Sequence, residues 1–338
     1  MSARRWAIVV LSFAFALGVS GYIVWSGWAD EGAPPWLPWW AHLLAFGSVI
    51  GEIVTRGLKI HWSAAAMRIP LKFETSLRVC MGGDFAAAIS PGRTAAEPAR
   101  FLVMAETGMP ATSILLVLFT ELALELVSLV LVVVGLAVIF RESGGILALM
   151  IGVLGGYAAF VIGIGAFGYF LSHRNANGPP PSWALRFRLN AGRWRRIQRS
   201  LRSLRSGIAG MREARVLPLV FATIASVAHI VLRLVALVII VIAVAPATPV
   251  APLMLWSLVL LYGSAMAPAP GGGGAVEFSF KLALGGVLAG GVLGGSLVWW
   301  RFYTFYLYIM LGALAAGGTV LRSLRERPDE IIAEAAPG

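Results

Sequence analysis

Long apolar runs, bounded by arginines, prolines or tryptophans, constrain this chain more than any other feature of its sequence. The hydrocarbon core of a bilayer is about 30 Å thick, so a helix that rises about 1.5 Å per residue crosses it in about 20 residues. Runs of at least that length cover residues 6–25, 36–56, 110–140, 144–171, 216–245 and 292–318. Of the 338 residues, 59% are hydrophobic and 13% are charged, which is too apolar for a water-soluble domain. We therefore predict an all-α polytopic membrane protein with about six full transmembrane helices.

The sequence also excludes several functional classes. The single cysteine, Cys80, has no partner for an intrachain disulfide, so a secreted disulfide framework is excluded. The four histidines stand far apart without ligand spacing, so we expect no metal site. No nucleotide-binding motif, nucleophile–base pair or pair of catalytic carboxylates is visible. We therefore expect neither a cofactor nor an enzyme activity.

The basic residues indicate the orientation in the membrane. The net charge is +11, and eleven arginines fall within residues 174–215, between two apolar runs. The positive-inside rule accounts for such a loop, so we expect both termini to lie in the cytoplasm of a bacterium, with the chain in its cytoplasmic (inner) membrane. Residues 182–213 carry apolar side chains at intervals of three and four, which predicts a basic amphipathic helix on anionic lipid headgroups. We expect membrane lipids as partners and no nucleic acid; a homo-oligomer is left open.

Two apolar segments, 72–108 and 253–290, are each interrupted by proline and glycine. Neither half of either segment is long enough to cross the bilayer, so we predict two re-entrant helical hairpins, the first entering from the cytoplasm and the second from outside. Residues 1–338 then form a single integral membrane domain built as an inverted-topology repeat. Pseudo-repeat one covers about 6–140 with its break near 90–93, and pseudo-repeat two covers about 144–320 with its break near 268–274. The alternative is eight ordinary helices with proline kinks.

The residues at the two breaks are of the same kinds. The helix-break residues are Pro91, Gly92, Pro270, Gly271, Gly272, Gly273 and Gly274. Proline ends the incoming helix because it lacks an N–H group, and glycine permits the chain to reverse. The next half-helix then presents unpaired N–H groups and the positive end of its dipole, which suit an anionic group such as phosphate.

Charged residues inside the apolar runs are the candidate site. A lone charge at the centre of a membrane helix costs about 2.5–3.5 kcal/mol even on insertion scales, so each must be paired, protonated or facing water. Between residues 214 and 325 the only acidic residue is Glu277, which we predict to pair with Arg301 or Arg233. The full set of candidates is Arg93, Glu97, Arg100, Glu121, Glu125, Arg233, Glu277 and Arg301.

Two interpretations of these charges stay open. They are either ion pairs that lock the broken helices together or the lining of a polar cavity that binds a charged headgroup. Glu97 stands at helical spacing from Arg93 and Arg100, whereas Glu121 and Glu125 are one turn apart. For His229, one turn before Arg233, a proton relay and a packing role are both open.

At these residues the sequence resembles a known family, the lysylphosphatidylglycerol synthase transmembrane region, also called the flippase-like domain family. The first motif, Pro-Gly-Arg-x-x-x-Glu-x-x-Arg, is formed by Pro91, Gly92, Arg93, Glu97 and Arg100. Residues 268–277 resemble its second motif, Pro-x-Pro-Gly-Gly-x-Gly-x-x-Glu. Arg301 fits the family's arginine in the last span. The sequence departs from the family where Glu121 is followed by Leu122 instead of arginine, with Glu125 near the usual aspartate position.

The resemblance implies translocation of lipids between leaflets, since relatives are linked to aminoacylated phosphatidylglycerol, polyprenyl-phosphate sugars or hopanoid synthesis. Arg93, Arg100 and Arg301 would hold a phosphate, and Glu97 and Glu277 would pair with them and release them. We expect a stand-alone member without the soluble aminoacyl-transferase domain. Two alternatives are a secondary transporter of a small solute or ion and a non-transporting scaffold for lipid or hopanoid synthesis. A cavity open sideways to lipid would favour a lipid substrate.

Overall fold

Helices make up every regular element in the part of the chain that the computed structural model describes. That part comprises residues 11, 14–15, 17–26, 36–90, 93–172, 192, 194–195, 198, 214–264 and 274–325. The helices are α1 (Leu17–Ser26), α2 (Trp39–Ala66), α3 (Phe73–Ile89), α4 (Ala96–Ala105), α5 (Ala111–Ile139), α6 (Gly144–Ser172), α7 (Val216–Val244), α8 (Val250–Gly263), α9 (Ala275–Leu284), α10 (Gly290–Arg301) and α11 (Leu307–Arg325). A π-helical turn, Phe302–Tyr306, joins α10 to α11.

Three of these helical segments are long and apolar enough to cross a membrane. They are α5, α7 and the continuous stretch Gly290–Thr319, which agree with three of the predicted spans. Large apolar side chains point outward from them; Leu314 is 85% exposed and Val138 is 71% exposed. Such apolar surfaces are typical of helices in an integral membrane protein.

Helix α2 differs from its predicted span. The sequence predicted a span over residues 36–56, whereas the helix covers Trp39–Ala66. The helix therefore extends beyond Arg56 and Lys59, both of which are paired inside the protein; the Lys59 side chain is 1% exposed. The helix packs along α7 over much of its length, and Ser48 donates a hydrogen bond to the Leu232 carbonyl at 2.5 Å.

The two interrupted segments form helix pairs, as the proline and glycine pattern predicted. Helices α3 and α4 have 17 and 10 residues, and α8 and α9 have 14 and 10, so each is shorter than a full span. In each pair the two helices pack against each other. Their insertion from opposite sides of the membrane, and the inverted repeat that it would create, stay predictions.

Several predicted features fall outside the described residues. Pro91, Gly92, Pro270, Gly271, Gly272 and Gly273 are among them, as is most of the predicted basic helix at 182–213. Gly274 is described, and it has a φ of +77° directly before α9 begins. This left-handed conformation suits glycine, and Phe15 lies against the position that a Cβ atom would take.

Candidate functional site

A polar cavity lies where the two helix pairs approach each other. Its walls come from α3, α7, α8, α9 and the junction of α10 with α11. The charged and polar residues that line this central cavity are Asp84, Arg93, Arg233, Ser264, Arg301, Thr304 and Tyr308. Both interrupted segments therefore contribute to one cavity. Three of the eight predicted site residues line it: Arg93, Arg233 and Arg301.

Arg301 is held by Glu277, which was one of the two pairings predicted. The Arg301 Nε atom lies 2.8 Å from Glu277 Oε1, and the Glu277 side chain is fully buried. The guanidinium group also lies over the Phe305 ring, 4.3 Å from its centroid. Helix α9 supplies the carboxylate and α10 the arginine, so this pair fastens the second hairpin to the last span. The π-helical turn starts at the next residue and turns Thr304 and Phe305 to the cavity.

Arg93 and Arg233 face the cavity without a carboxylate of their own. Among the described residues, no acidic side chain lies within 4.0 Å of either guanidinium group. The Arg233 Nε atom is buried without a hydrogen-bond partner there, and its guanidinium group lies 5.5 Å from the centroid of the Tyr308 ring. Arg93 has a φ of 57°, a left-handed conformation that is uncommon for a residue with a side chain. The chain thus presents two guanidinium groups to one space.

The wall behind the cavity contains charged residues that are not among the predicted site residues. Arg56 forms an ion pair with Asp84 and lies 3.6 Å from Glu52, which is fully buried. Tyr308 donates a hydrogen bond to Glu52 at 2.8 Å. A signal existed in the sequence, because Glu52 and Arg56 are one helical turn apart inside an apolar run.

The charges of the cavity and of this wall do not cancel. Among the residues that the structure describes, the set consists of four arginines and three carboxylates: Arg56, Arg93, Arg233, Arg301, Glu52, Asp84 and Glu277. Their formal sum is +1. Guanidinium groups bind phosphates through several parallel hydrogen bonds, so the arrangement suits an anion of one negative charge.

Three further predicted site residues, Arg100, Glu121 and Glu125, lie in a second group, which we call the carboxylate cluster. It consists of Lys59, Arg100, Glu121, Glu125, His229 and Tyr262. Lys59 lies 2.6 Å from a carboxylate oxygen of both Glu121 and Glu125, and Arg100 pairs with Glu121. The cluster ties the first hairpin, through Arg100, to the second, through Tyr262.

Glu97 has a different environment from Glu277, although both follow a break. Arg100 binds it at 3.0 Å, as the helical spacing predicted, but the Glu97 side chain is 63% exposed. Arg93 turns away to the central cavity. Of the three arginines expected to hold a phosphate, Arg100 is thus engaged elsewhere, and Arg233 lines the cavity instead.

An apolar groove, here called the lateral groove, runs beside the cavity between α8 and α9. Trp256, Val259, Ser279, Leu282 and Ala283 are part of its lining. It shares Leu260, Ser264 and Val276 with the central cavity. Among the residues that line the groove, Leu282 is 70% exposed.

The described residues contain no group of three or more histidine, cysteine or acidic side chains that could hold a metal ion. Residues 5–312 match the family described as lysylphosphatidylglycerol synthase TM region, which covers most of the chain. No curated protein matches the sequence.

Proposed function

The chain belongs to the lysylphosphatidylglycerol synthase TM region family, and from this premise we propose that it is a flippase-like lipid transporter. It moves an anionic lipid headgroup, of a phospholipid or of a polyprenyl phosphate, between leaflets through the central cavity. The acyl or polyprenyl chains stay in the hydrocarbon. The family links the chain to membrane lipids; the substrate and the transport step are our inference. The chain carries out this step without covalent catalysis, in the bacterial inner membrane with both termini in the cytoplasm.

One observation carries the proposal: Arg93 and Arg233 face a cavity with a surplus of one positive charge. A phosphodiester group neutralises that surplus and gives both arginines a partner. Arg301 lines the same cavity, but its charge is already balanced by Glu277. Arg301, whose charge is paired, therefore shapes the cavity, and Arg93 and Arg233 bind the headgroup.

The lateral groove favours a lipid over a small solute. A solute needs an aqueous path, whereas a lipid needs a polar site that opens sideways to hydrocarbon. The groove and the cavity share the lining residues Leu260, Ser264 and Val276, so the headgroup site is adjacent to an apolar surface. The solute transporter remains the second candidate, and it has no use for an apolar groove at this position.

Reconstitution tests the proposal directly. Fluorescently labelled phosphatidylglycerol is incorporated into proteoliposomes, and a quencher that cannot cross the membrane is added outside. The rate at which label from the inner leaflet becomes accessible to the quencher measures flipping. We expect Arg233→Gln or Arg93→Gln to slow flipping about tenfold or more, because each removes a hydrogen-bonded charge from the phosphate site. The control is Arg78→Gln, which changes a surface pair with Glu106 away from the cavity and should flip at the wild-type rate.

Two outcomes count against this function. Wild-type flipping by both cavity variants would remove the phosphate site from the mechanism. Blocking the groove with Ala283→Trp should slow flipping of the labelled lipid but not binding of inorganic phosphate. If Ala283→Trp leaves both lipid flipping and phosphate binding unchanged, the small-solute transporter is the better description.

A further inference from the structure

The carboxylate cluster is electrically balanced when His229 is neutral. Lys59 and Arg100 match Glu121 and Glu125, with contacts of 2.6 Å from Lys59 to both carboxylates. The other partner of Arg100, Glu97, is 63% exposed, so water screens its charge. One added proton therefore gives the buried cluster a charge of +1.

His229 is placed to take that proton. The side chain is 5% exposed, and its Nε2 atom lies 3.3 Å from Glu125 Oε2. Its Nδ1 atom is buried and has no hydrogen-bond partner among the described residues. Buried polar atoms are nearly always hydrogen-bonded. A role in packing alone therefore does not explain the unbonded Nδ1 atom of His229. A proton can reside on the imidazole or be shared with the Glu125 carboxylate.

Several charged and titratable groups lie on the elements packed around His229. They are Glu121 and Glu125 on α5, Glu52, Arg56 and Lys59 on α2, Tyr262 on α8 with Tyr157 of α6 against it, and Arg233 on α7 itself. Tyr262 donates its hydroxyl to Glu125 at 2.7 Å. Glu125 is therefore the carboxylate that contacts both the Tyr262 hydroxyl and the His229 imidazole.

The cluster and the central cavity are neighbours on two helices. Arg233 follows His229 by one turn of α7, which puts their Cβ atoms about 5–6 Å apart. Tyr262 precedes the cavity residue Ser264 by two positions. An empty cavity carries +1, so a second positive charge one turn away is disfavoured. An anion in the cavity removes that penalty.

We propose that the carboxylate cluster is a proton-binding site that is loaded together with the anion. The proton comes from water, binds at the Glu125–His229 pair when an anion occupies the cavity, and leaves when the anion leaves. The inference rests on the proposed function, because it needs an anion in the central cavity. It adds to that function the identity of the coupling ion, which is a proton. Because the anion and the proton cross the membrane together, a proton gradient drives translocation of the headgroup.

Thermodynamic reciprocity makes this measurable without transport. If the anion promotes proton uptake, then protons must tighten anion binding by the same factor. Dihexanoyl phosphatidylglycerol is titrated calorimetrically into the full chain in detergent, in buffers of low and high ionisation enthalpy. Its phosphodiester keeps one negative charge throughout the range used. We expect net uptake of up to one proton per lipid bound and at least about fivefold tighter binding at pH 6 than at pH 8.

The variants assign the effect to His229. His229→Gln keeps an amide donor near the Nε2 position but cannot titrate, so lipid should bind without proton uptake and without the pH dependence. If that variant does not fold, His229→Asn, whose amide stands near Nδ1, takes its place. The matched control is His42→Gln; His42 pairs with Tyr303 outside the cluster and the cavity.

The possible failures are distinguishable. Wild-type binding that is independent of buffer and pH overturns the proton site and leaves the anion site standing. Uptake that persists in the His229 variant also overturns it, because another group then takes the proton. No binding of the lipid at any pH overturns the proposed function, and the proton site falls with it.

Discussion

Glu277 and Glu97 are one residue type in two environments. Each follows a proline–glycine break, but Glu277 is fully buried against Arg301, whereas Glu97 is 63% exposed beside Arg100. Removing one partner of a buried ion pair leaves an uncompensated charge in a medium that solvates it poorly, while an exposed pair contributes little. The two glutamates should therefore contribute very differently to stability.

We expect Glu277→Gln to lower the free energy of unfolding by about 3–5 kcal/mol, because it removes the buried carboxylate that pairs with Arg301. Glu97→Gln, the matched control, should cost about 0–1 kcal/mol. Reversible unfolding in mixed micelles measures both. Equal losses in the two variants would contradict this assignment, and so would a Glu277→Gln protein as stable as the wild type.

At the scale of the helix, close packing depends on small residues where backbones meet. A Cβ atom on Gly312 of α11 would collide with the Met81 carbonyl oxygen of α3 and approach the Phe85 Cβ at 2.8 Å. Helix association within a membrane relies on such contacts because lipid provides no hydrophobic drive between helices. The first hairpin is therefore fixed to the last helix through Gly312.

Gly312→Ala should destabilise the protein by about 1–3 kcal/mol, because the backbone of α3 has to move away. Gly135→Ala should instead stabilise it by about 0.4–1 kcal/mol, since that α5 glycine has open space around its Cβ position. Both values come from the same unfolding measurement. A neutral Gly312→Ala would mean that α3 and α11 do not approach as closely as described.

For the whole molecule, the arrangement of the two hairpins decides how the cavity is reached. The predicted inverted topology puts the end of α4 on the cytoplasmic side and the end of α9 on the outer side. Thr107 and Gly286 follow these ends and are exposed. The only cysteine, Cys80, is buried, so its replacement by alanine gives a background for labelling.

On the Cys80→Ala background, Gly286→Cys should react with a membrane-impermeant maleimide in intact cells. Thr107→Cys should react only after the membrane is opened, because the first hairpin enters from the cytoplasm. The label is counted by mass spectrometry, with total cysteine measured after denaturation as the control. Labelling of both positions from the same side would show that the hairpins are not inverted.

The sequence alone determined the class of protein and the places where its helices break. Those features are local: the length of an apolar run sets whether it spans a bilayer, and proline followed by glycine ends a helix wherever it stands. The sequence also limited the partner of Glu277 to Arg301 or Arg233, because few charges were available in that half of the chain; the structure selects Arg301. It could not place Lys59 or Arg56, which look like ordinary end-of-span cations in one dimension.

Only the tertiary structure decided which charges meet. Glu52 and Tyr308 are 256 positions apart in the sequence, yet the Tyr308 hydroxyl donates to that carboxylate. Lys59 meets Glu121 and Glu125 because α2 and α5 are brought together around α7, and no periodicity within one helix records this. A buried charge takes whatever partner the packing brings within reach, so its role as binder or as ion pair is a property of the assembled helices.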